Sequence, residues 1–480
     1  MVRVLYPRAT RTRLGSGRAD NAHQHSPPTA ANASGSTAKV LVRVGPSTGA
    51  AYVEAGGSKV ATGGMPAAAR TAPASLAAWM ASIAAMRCGT AHVDITPGLD
   101  LDLLGYDFRQ EKLPPGHAGV LDPLGCRALA LTDGPTAALL VSLDLCIVSV
   151  PFARQLRQAA AKAAGCPVEA VVLACSHTHS GPDPREPVLR DDLAQVLPHA
   201  SAADQASTAY RERLVAAVAE AAARAAGLTV PVTASATSAA CALGYGRRVR
   251  TADGVRLCWN PQEQAHLAPQ PTADPALSLL WLQPAGRARP VAVWNAGAHP
   301  VCLGKTSRVV SADWPGAANQ RIADGGVDPL FVLGACGDTH PWSATQADPV
   351  AMERIGALAA GMVDALSGAL VPDHRQSLAT AATTIRLGGH DLDLAAWRIG
   401  PAVLLAAPVE LFAQLGAELR RRIDGPVLLA TNANGWTGYW PTSAAFAEGG
   451  YEVDAARAMG RTAGDGEALV EALVGLVPGG

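Results

Sequence analysis

The sequence predicts an α/β fold of the mixed α+β kind: a single large multilayer catalytic domain with a mixed β-sheet core, behind a disordered N-terminal extension. Three observations predict it. The chain has 480 residues, of which 49% are hydrophobic and 16% charged, enough to bury a sizeable core. From residue 87 onward, short apolar runs punctuated by Gly and Pro alternate with helical stretches, and hairpin signals stand beside β-α alternations. A pure dinucleotide-fold order therefore does not follow. Before that point the chain is rich in Ala, Gly, Ser, Thr, Pro and Arg, with no sustained period of 2 or 3.6. The expected partition is an extension over 1–86 and a domain over 87–480, without an internal sequence repeat.

Taken in order, the stretch 76–86 is apolar and follows Arg70. It reads as a short helix begun by Ser75, or as a signal core if translation starts at Met65. The runs 126–131 and 137–142, separated by Thr-Asp-Gly-Pro, predict a hairpin whose second strand runs on to Asp144. Residues 151–164 predict a helix with Pro at its start and Gly165 at its stop. A buried strand is expected at 170–174 and a long Ala-rich helix at 201–226, closed by Gly227. Further strands are expected at 231–238, 277–283, 290–295, 330–334, 380–387, 402–406 and 427–431, and helices near 315–324, 350–367 and 409–423. The segment 431–451, rich in Asn, Gly and aromatics, reads as a long pocket-lining loop.

Charge narrows the function classes. Lys+Arg 39 against Asp+Glu 40 leaves a formal charge of -1, so nothing overall draws the chain to nucleic acid or an anionic membrane. No apolar run reaches the roughly 18 residues of a spanning helix. Nine cysteines without a CxxC pair read as buried free thiols, not a disulfide framework or a thiolate zinc site. As numbered, the expected location is the cytoplasm, with secretion if Met65 is the start.

Four places carry residues suited to chemistry. After the apolar strand at 171–174, the run SHTHSGP (176–182) holds His177 and His179; two histidines at i and i+2 leave a strand end on different sides, one toward a metal and the other toward substrate. His299, in AHP (298–300), follows the strand near 291–294. Glu410, in PVELF (408–412), is expected in a first helical turn, where a carboxylate also simply compensates the helix dipole. The segment after 431 contributes Tyr439 and Tyr451. Asp144, Asp313 and Asp338, at strand ends or turns, read either as groups orienting the histidines or as turn caps. Trp436 and Trp440 read as pocket lining or as packing. His23 and His25, in the extension, carry no assigned chemistry.

The set DITP (94–97), LGY (104–106), SLD (142–144), SHTHSGP, GRR (246–248), AHP with SADWPG (311–316), GACGD (334–338), PVELF, and NANGWTGYWPT (432–442) with GGYE (449–452) resembles, in this order, the catalytic part of the neutral/alkaline (non-lysosomal) ceramidase family over residues 87–455. That family consists of zinc amidohydrolases cleaving ceramide to sphingosine and a fatty acid. The resemblance implies one Zn2+ per chain held by His177, His299, Glu410 and Tyr439. It implies His179 as general acid/base, Arg247 as the substrate-orienting arginine with Arg248 as an adjacent competitor, and Tyr451 as a group on the developing oxyanion. Two imidazoles and a carboxylate are the ligand types of a catalytic zinc, which brings a water pKa from 15.7 to about 7. The implied partner is a lipid or small-molecule amide, attacked by zinc-activated water. Family members continue into a further β-sandwich domain, for which the 29 residues after Tyr451 leave no room. Three other readings stand beside this one: a metal hydrolase for a smaller soluble amide, ester or phosphoester; a degenerate ligand-binding homologue; and a closed structural zinc site.

Overall fold

The computed structural model describes residues 41–44, 51–54, 86–99, 101–106, 116–184, 204–286, 288–371 and 373–479. The chain divides into two units, 1–72 and 73–480. In the first, Leu41–Val44 and Ala51–Glu54 pair antiparallel. The remainder of the expected extension, and most of the helix or signal core expected at 76–86, lie outside the described residues.

In the second unit, β1 (Arg87–Asp94), β2 (Gly125–Thr132), β3 (Ala137–Leu143), β4 (Val171–Cys175), β5 (Val230–Ala240), β6 (Ala276–Pro284), β7 (Val291–Ala296) and β8 (Asp328–Leu333) form one mixed sheet. Its order is β8-β7-β6-β5-β1-β2-β3-β4, with β3/β4 and β7/β8 parallel and the other pairs antiparallel. A second sheet, β9 (Leu378–Leu387), β10 (His390–Ile399), β11 (Ala402–Ala406) and β12 (Val427–Ala430), runs in that order, with β11/β12 parallel.

Period-2 patterning builds the layers. Along β3, Leu139, Val141 and Leu143 face α1 (Val150–Ala164) and α2 (Asp204–Gly227), whereas Ala138 and Leu140 face the second sheet. On β7, Ala292 and Trp294 face α3 (Asp313–Asp324) and α4 (Val350–Gly368), while Val291 and Val293 meet Trp397 and Leu404 in the core between the sheets. The outer face of the second sheet is covered by α5 (Ala413–Arg422), α6 (Ser443–Glu448), α7 (Tyr451–Ala458) and α8 (Asp465–Leu476). Helix α1 begins where Ser149 Oγ accepts from Phe152 N and ends at left-handed Gly165, as its cap signals predict.

Although the sequence has no evident period, the topology repeats three times. Each unit is a three-stranded antiparallel meander, a helix, and a strand parallel to the meander's last: β1-β2-β3-α1-β4, β5-β6-β7-α3-β8 and β9-β10-β11-α5-β12. The large sheet curls until its edges approach, with Ser142 Oγ on β3 donating to Phe331 O on β8 at 2.7 Å. Thr431 N donates to Leu333 O, Cys175 N to Asn432 O and Asn434 N to Leu173 O, so the ends of β4, β8 and β12 meet.

Three expectations change. The helix expected at 409–423 begins only at Ala413; Glu410–Leu411 is instead a short strand parallel to Tyr439–Trp440. Strand β10 was not anticipated, although Gly388-Gly389 before it is a hairpin turn signal. The segment 431–451 contains strand and helix as well as loop. All nine cysteines are free thiols, as expected, and no helix among the described residues is long and apolar enough to cross a membrane.

Candidate functional site

Each topological unit delivers one of three residues to a common point. His177 follows β4, His299 follows β7, and Glu410 follows β11. His177 has a positive φ of 69°, so the chain leaves the extended conformation there. The expected divergence of the two histidines does not occur: His177 and His179 turn to the same point, their Nε2 atoms 3.4 Å apart, and residues at i and i+2 share a face even in a regular strand. His177 Nδ1 points at the carbonyl of Cys146 at 2.9 Å and His299 Nδ1 at that of Thr339 at 3.0 Å, which leaves both Nε2 atoms inward. They lie 3.6 and 3.3 Å from Glu410 Oε2. The other carboxylate oxygen accepts from Trp436 Nε1 at 2.6 Å. Trp436 thus orients Glu410, a role beyond either sequence reading, while Trp440 is fully buried packing.

At the point where the donors converge, His299 Nε2 and Glu410 Oε2 are buried without a hydrogen bond of proper geometry. Burial would lower the pKa of His177, but the Glu410 carboxylate and Cys146 together hold it well above its ordinary value. Burial would likewise raise Glu410, but His177 and His299 hold it well below. His299 falls to about 4, through burial and then the Arg247 guanidinium. Their mutual field favours the charged forms of His177 and Glu410, and burial favours the neutral form of His299.

Tyr439 pairs in register with Glu410. Its phenol is buried and raised above its ordinary range by burial and then by Glu410. Arg247 is also buried. Its Nε donates to Glu452 at 2.7 Å, Nη1 to His340 Nε2 at 2.8 Å, and Nη2 to Gly337 O at 2.9 Å and Tyr439 Oη at 3.2 Å. Four of its five N–H groups are thereby engaged. Arg248 pairs with Glu452 and Glu448. Arg247 lines the cavity, and Arg248 is not among the residues lining it.

That cavity has a volume of about 730 Å³. Its described walls include His179, Arg247, His340, Tyr439, Tyr451 and Trp259. Tyr451, the first residue of α7, stands at the exposed end with its ring 5.7 Å from Trp259. Gly105, with φ +117°, makes room for His179: a Cβ there would lie 2.4 Å from His179 Cγ. The structure thus brings all seven sequence-derived candidates into one neighbourhood. The aspartates act as anchors instead of imidazole partners. Asp144 pairs with Arg127, Asp313 receives the backbone N–H groups of Cys302, Leu303 and Trp314, and Asp338 receives that of Ala413.

The sequence reading passed over His340, which is held neutral by burial and then by Arg247, well below its ordinary value. A signal was present: Cys336-Gly337-Asp338-Thr339-His340, just past β8, echoes Cys175-Ser176-His177-Thr178-His179, which starts on the last residue of β4.

The fold recurs in known structures. A ceramidase complexed with C2 matches with a TM-score of 0.65 and 16% identity, over 82% of this chain and 74% of that one. Neutral ceramidase from Pseudomonas aeruginosa matches with a TM-score of 0.63 and 16% identity, over 82% and 75%. The chain has the fold of the neutral ceramidases. No family model and no curated protein matches the sequence, so this likeness is one of the neutral ceramidase fold.

Proposed function

We propose that the protein is a zinc-dependent amidohydrolase that cleaves an N-acyl amide, of ceramide type, to an amine and a fatty acid. The observation that carries the reading is the convergence of His177, His299 and Glu410, with His299 Nε2 and Glu410 Oε2 orphaned. The separations of 3.3 and 3.6 Å match those between donors on one ion with bonds near ~2.0–2.1 Å. The residues fit a zinc ion, and a cation there would replace the proton on His177 Nε2. His177, His299, Glu410 and Tyr439 would hold it. When bound, zinc supplies Lewis acidity at the carbonyl and an acidified water.

The chain's own groups do the rest. His179, at the junction of the donor cluster and the cavity, accepts the proton of the attacking water and delivers it to the departing nitrogen, without which an amine is a poor leaving group. Arg247 has one Nη1 hydrogen uncommitted, and with Tyr451 it stabilises negative charge growing on the carbonyl oxygen. Because four acceptors already fix the guanidinium, this donor needs little reorganisation as charge develops. The aromatic rim of Trp259 and Tyr451 takes the apolar part of the substrate.

The test is hydrolysis by zinc-loaded protein of a panel of N-acyl amides, aryl esters and phosphoesters. Amide cleavage is expected, and His179→Ala should keep zinc while losing roughly 10²–10⁴ in turnover. Cleavage of phosphoesters alone would contradict the amidase reading.

A further inference from the structure

We propose that Asn260 is a substrate-binding residue, and that the amide it helps to select carries a second, neutral oxygen that accepts a hydrogen bond, such as a hydroxyl. The inference rests on the hydrolase reading above and narrows its substrate class. Asn260 is only 5% exposed, yet it lines the cavity. Its Oδ1 accepts from Gln262 N at 3.0 Å, Gln346 Nε2 at 3.2 Å and Glu263 N at 3.4 Å. Backbone N–H groups only donate, so these bonds decide which way the amide is turned. Its Nδ2 meets no partner among the described residues. That nitrogen is a donor offered to whatever fills the cavity.

The donor stands on a braced wall. Gln264 Oε1 accepts from Trp259 N at 2.7 Å and Asn260 N at 3.2 Å, which holds the backbone that carries the amide. Thr345 lines the same cavity with a φ of 51°, a conformation that a β-branched residue adopts only where its surroundings impose it. Its N donates to Val301 O at 2.7 Å and its hydroxyl to Trp259 O at 3.2 Å, so this strained turn grips the same loop. A fixed donor discriminates. A substrate that fills the cavity without offering it an acceptor leaves it desolvated and unpaired, a loss that apolar contact does not restore. Lys305 and Glu263, of opposite charge, both line the cavity. Their balance favours a neutral oxygen over a carboxylate.

Matched amides test this on the zinc-loaded full chain. Each set holds a hydroxyl, its methyl ether and a plain methylene at one carbon, one set varied in the amine part and one in the acyl part. In at least one set the unaltered protein should favour both the hydroxyl and the ether over the methylene by about tenfold in kcat/KM, since either oxygen accepts from Nδ2. Asn260→Asp keeps the acceptor for the three bonds but offers the cavity a carboxylate oxygen, which accepts from a hydroxyl and cannot donate to an ether. The advantage of the ether should vanish in that variant while that of the hydroxyl persists. Equal kcat/KM across both sets, a preference of the unaltered chain for the hydroxyl that excludes the ether, or an ether advantage kept in Asn260→Asp would overturn the proposal and leave the hydrolase reading standing. Should Asn260→Asp fail to fold, the ether preference of the unaltered chain decides. Cleavage of none of the amides would overturn both.

Discussion

Single atoms decide whether this site can work. The closest constraint is at Gly105, whose positive φ and missing Cβ let His179 reach the cavity. Gly105→Ala should lower turnover by at least about 100-fold while zinc content is kept, because the methyl displaces the proton carrier and not the donors; a steady-state assay with metal analysis checks it. His340 is a positioning residue, acting through Arg247. His340→Ala, which strands an Arg247 N–H, should cost kcat about tenfold. His340→Gln, whose amide oxygen can accept the same hydrogen bond, should recover part of it; equal losses in both would mean packing alone. Candidates in distinctive company, such as His177, His179, Arg247 and Tyr439, were legible in the sequence, and the structure brings them into one neighbourhood. Those whose roles come from a neighbour were not. Trp436 matters because its indole meets Glu410.

Among the elements, local signals located strands and helices well wherever apolar runs ended in Gly or Pro. They failed at Glu410, where the helical pattern of the following residues extended too far back, and a parallel bridge to Tyr439, distant in sequence, overrode it. Strand β10 escaped because its inward face includes Asp393. Burial would raise that carboxyl, but hydrogen bonds from Arg154 and Thr384 and the charges of Arg154 and Arg157 hold it below its ordinary value. The cluster ties α1 to the second sheet, with Arg154 bidentate on Asp393 at 2.8 and 2.9 Å. A depressed carboxyl stabilises the fold above the unfolded value of 3.8 and ceases to do so as pH falls through the native value. Asp393→Asn should therefore cost about 2 kcal/mol at pH 7, a deficit that shrinks below pH 3.8. Denaturant titrations across that range check it, and a deficit unchanged in acid would assign the cost to packing.

At the scale of the whole molecule, fold class and sheet-rich core follow from the alternation of apolar runs, but the threefold topology does not. Its units share order and direction of strands, not residue spacing, so no period shows in composition. Only the Cys-x-x-Thr-His echo betrays it. Repetition explains part of the assembly of the site: the equivalent ends of β4, β8 and β12 meet, and one donor comes from each unit, after β4, β7 and β11. The central claim is that these donors hold one ion on which amide cleavage depends. Stripping the protein with a chelator and titrating zinc back while following fatty-acid release from an N-acyl amide tests it most directly. The account predicts that activity vanishes and returns in full at one equivalent per chain, and that Glu410→Gln fails to recover it; hydrolysis undiminished after complete metal removal would contradict it.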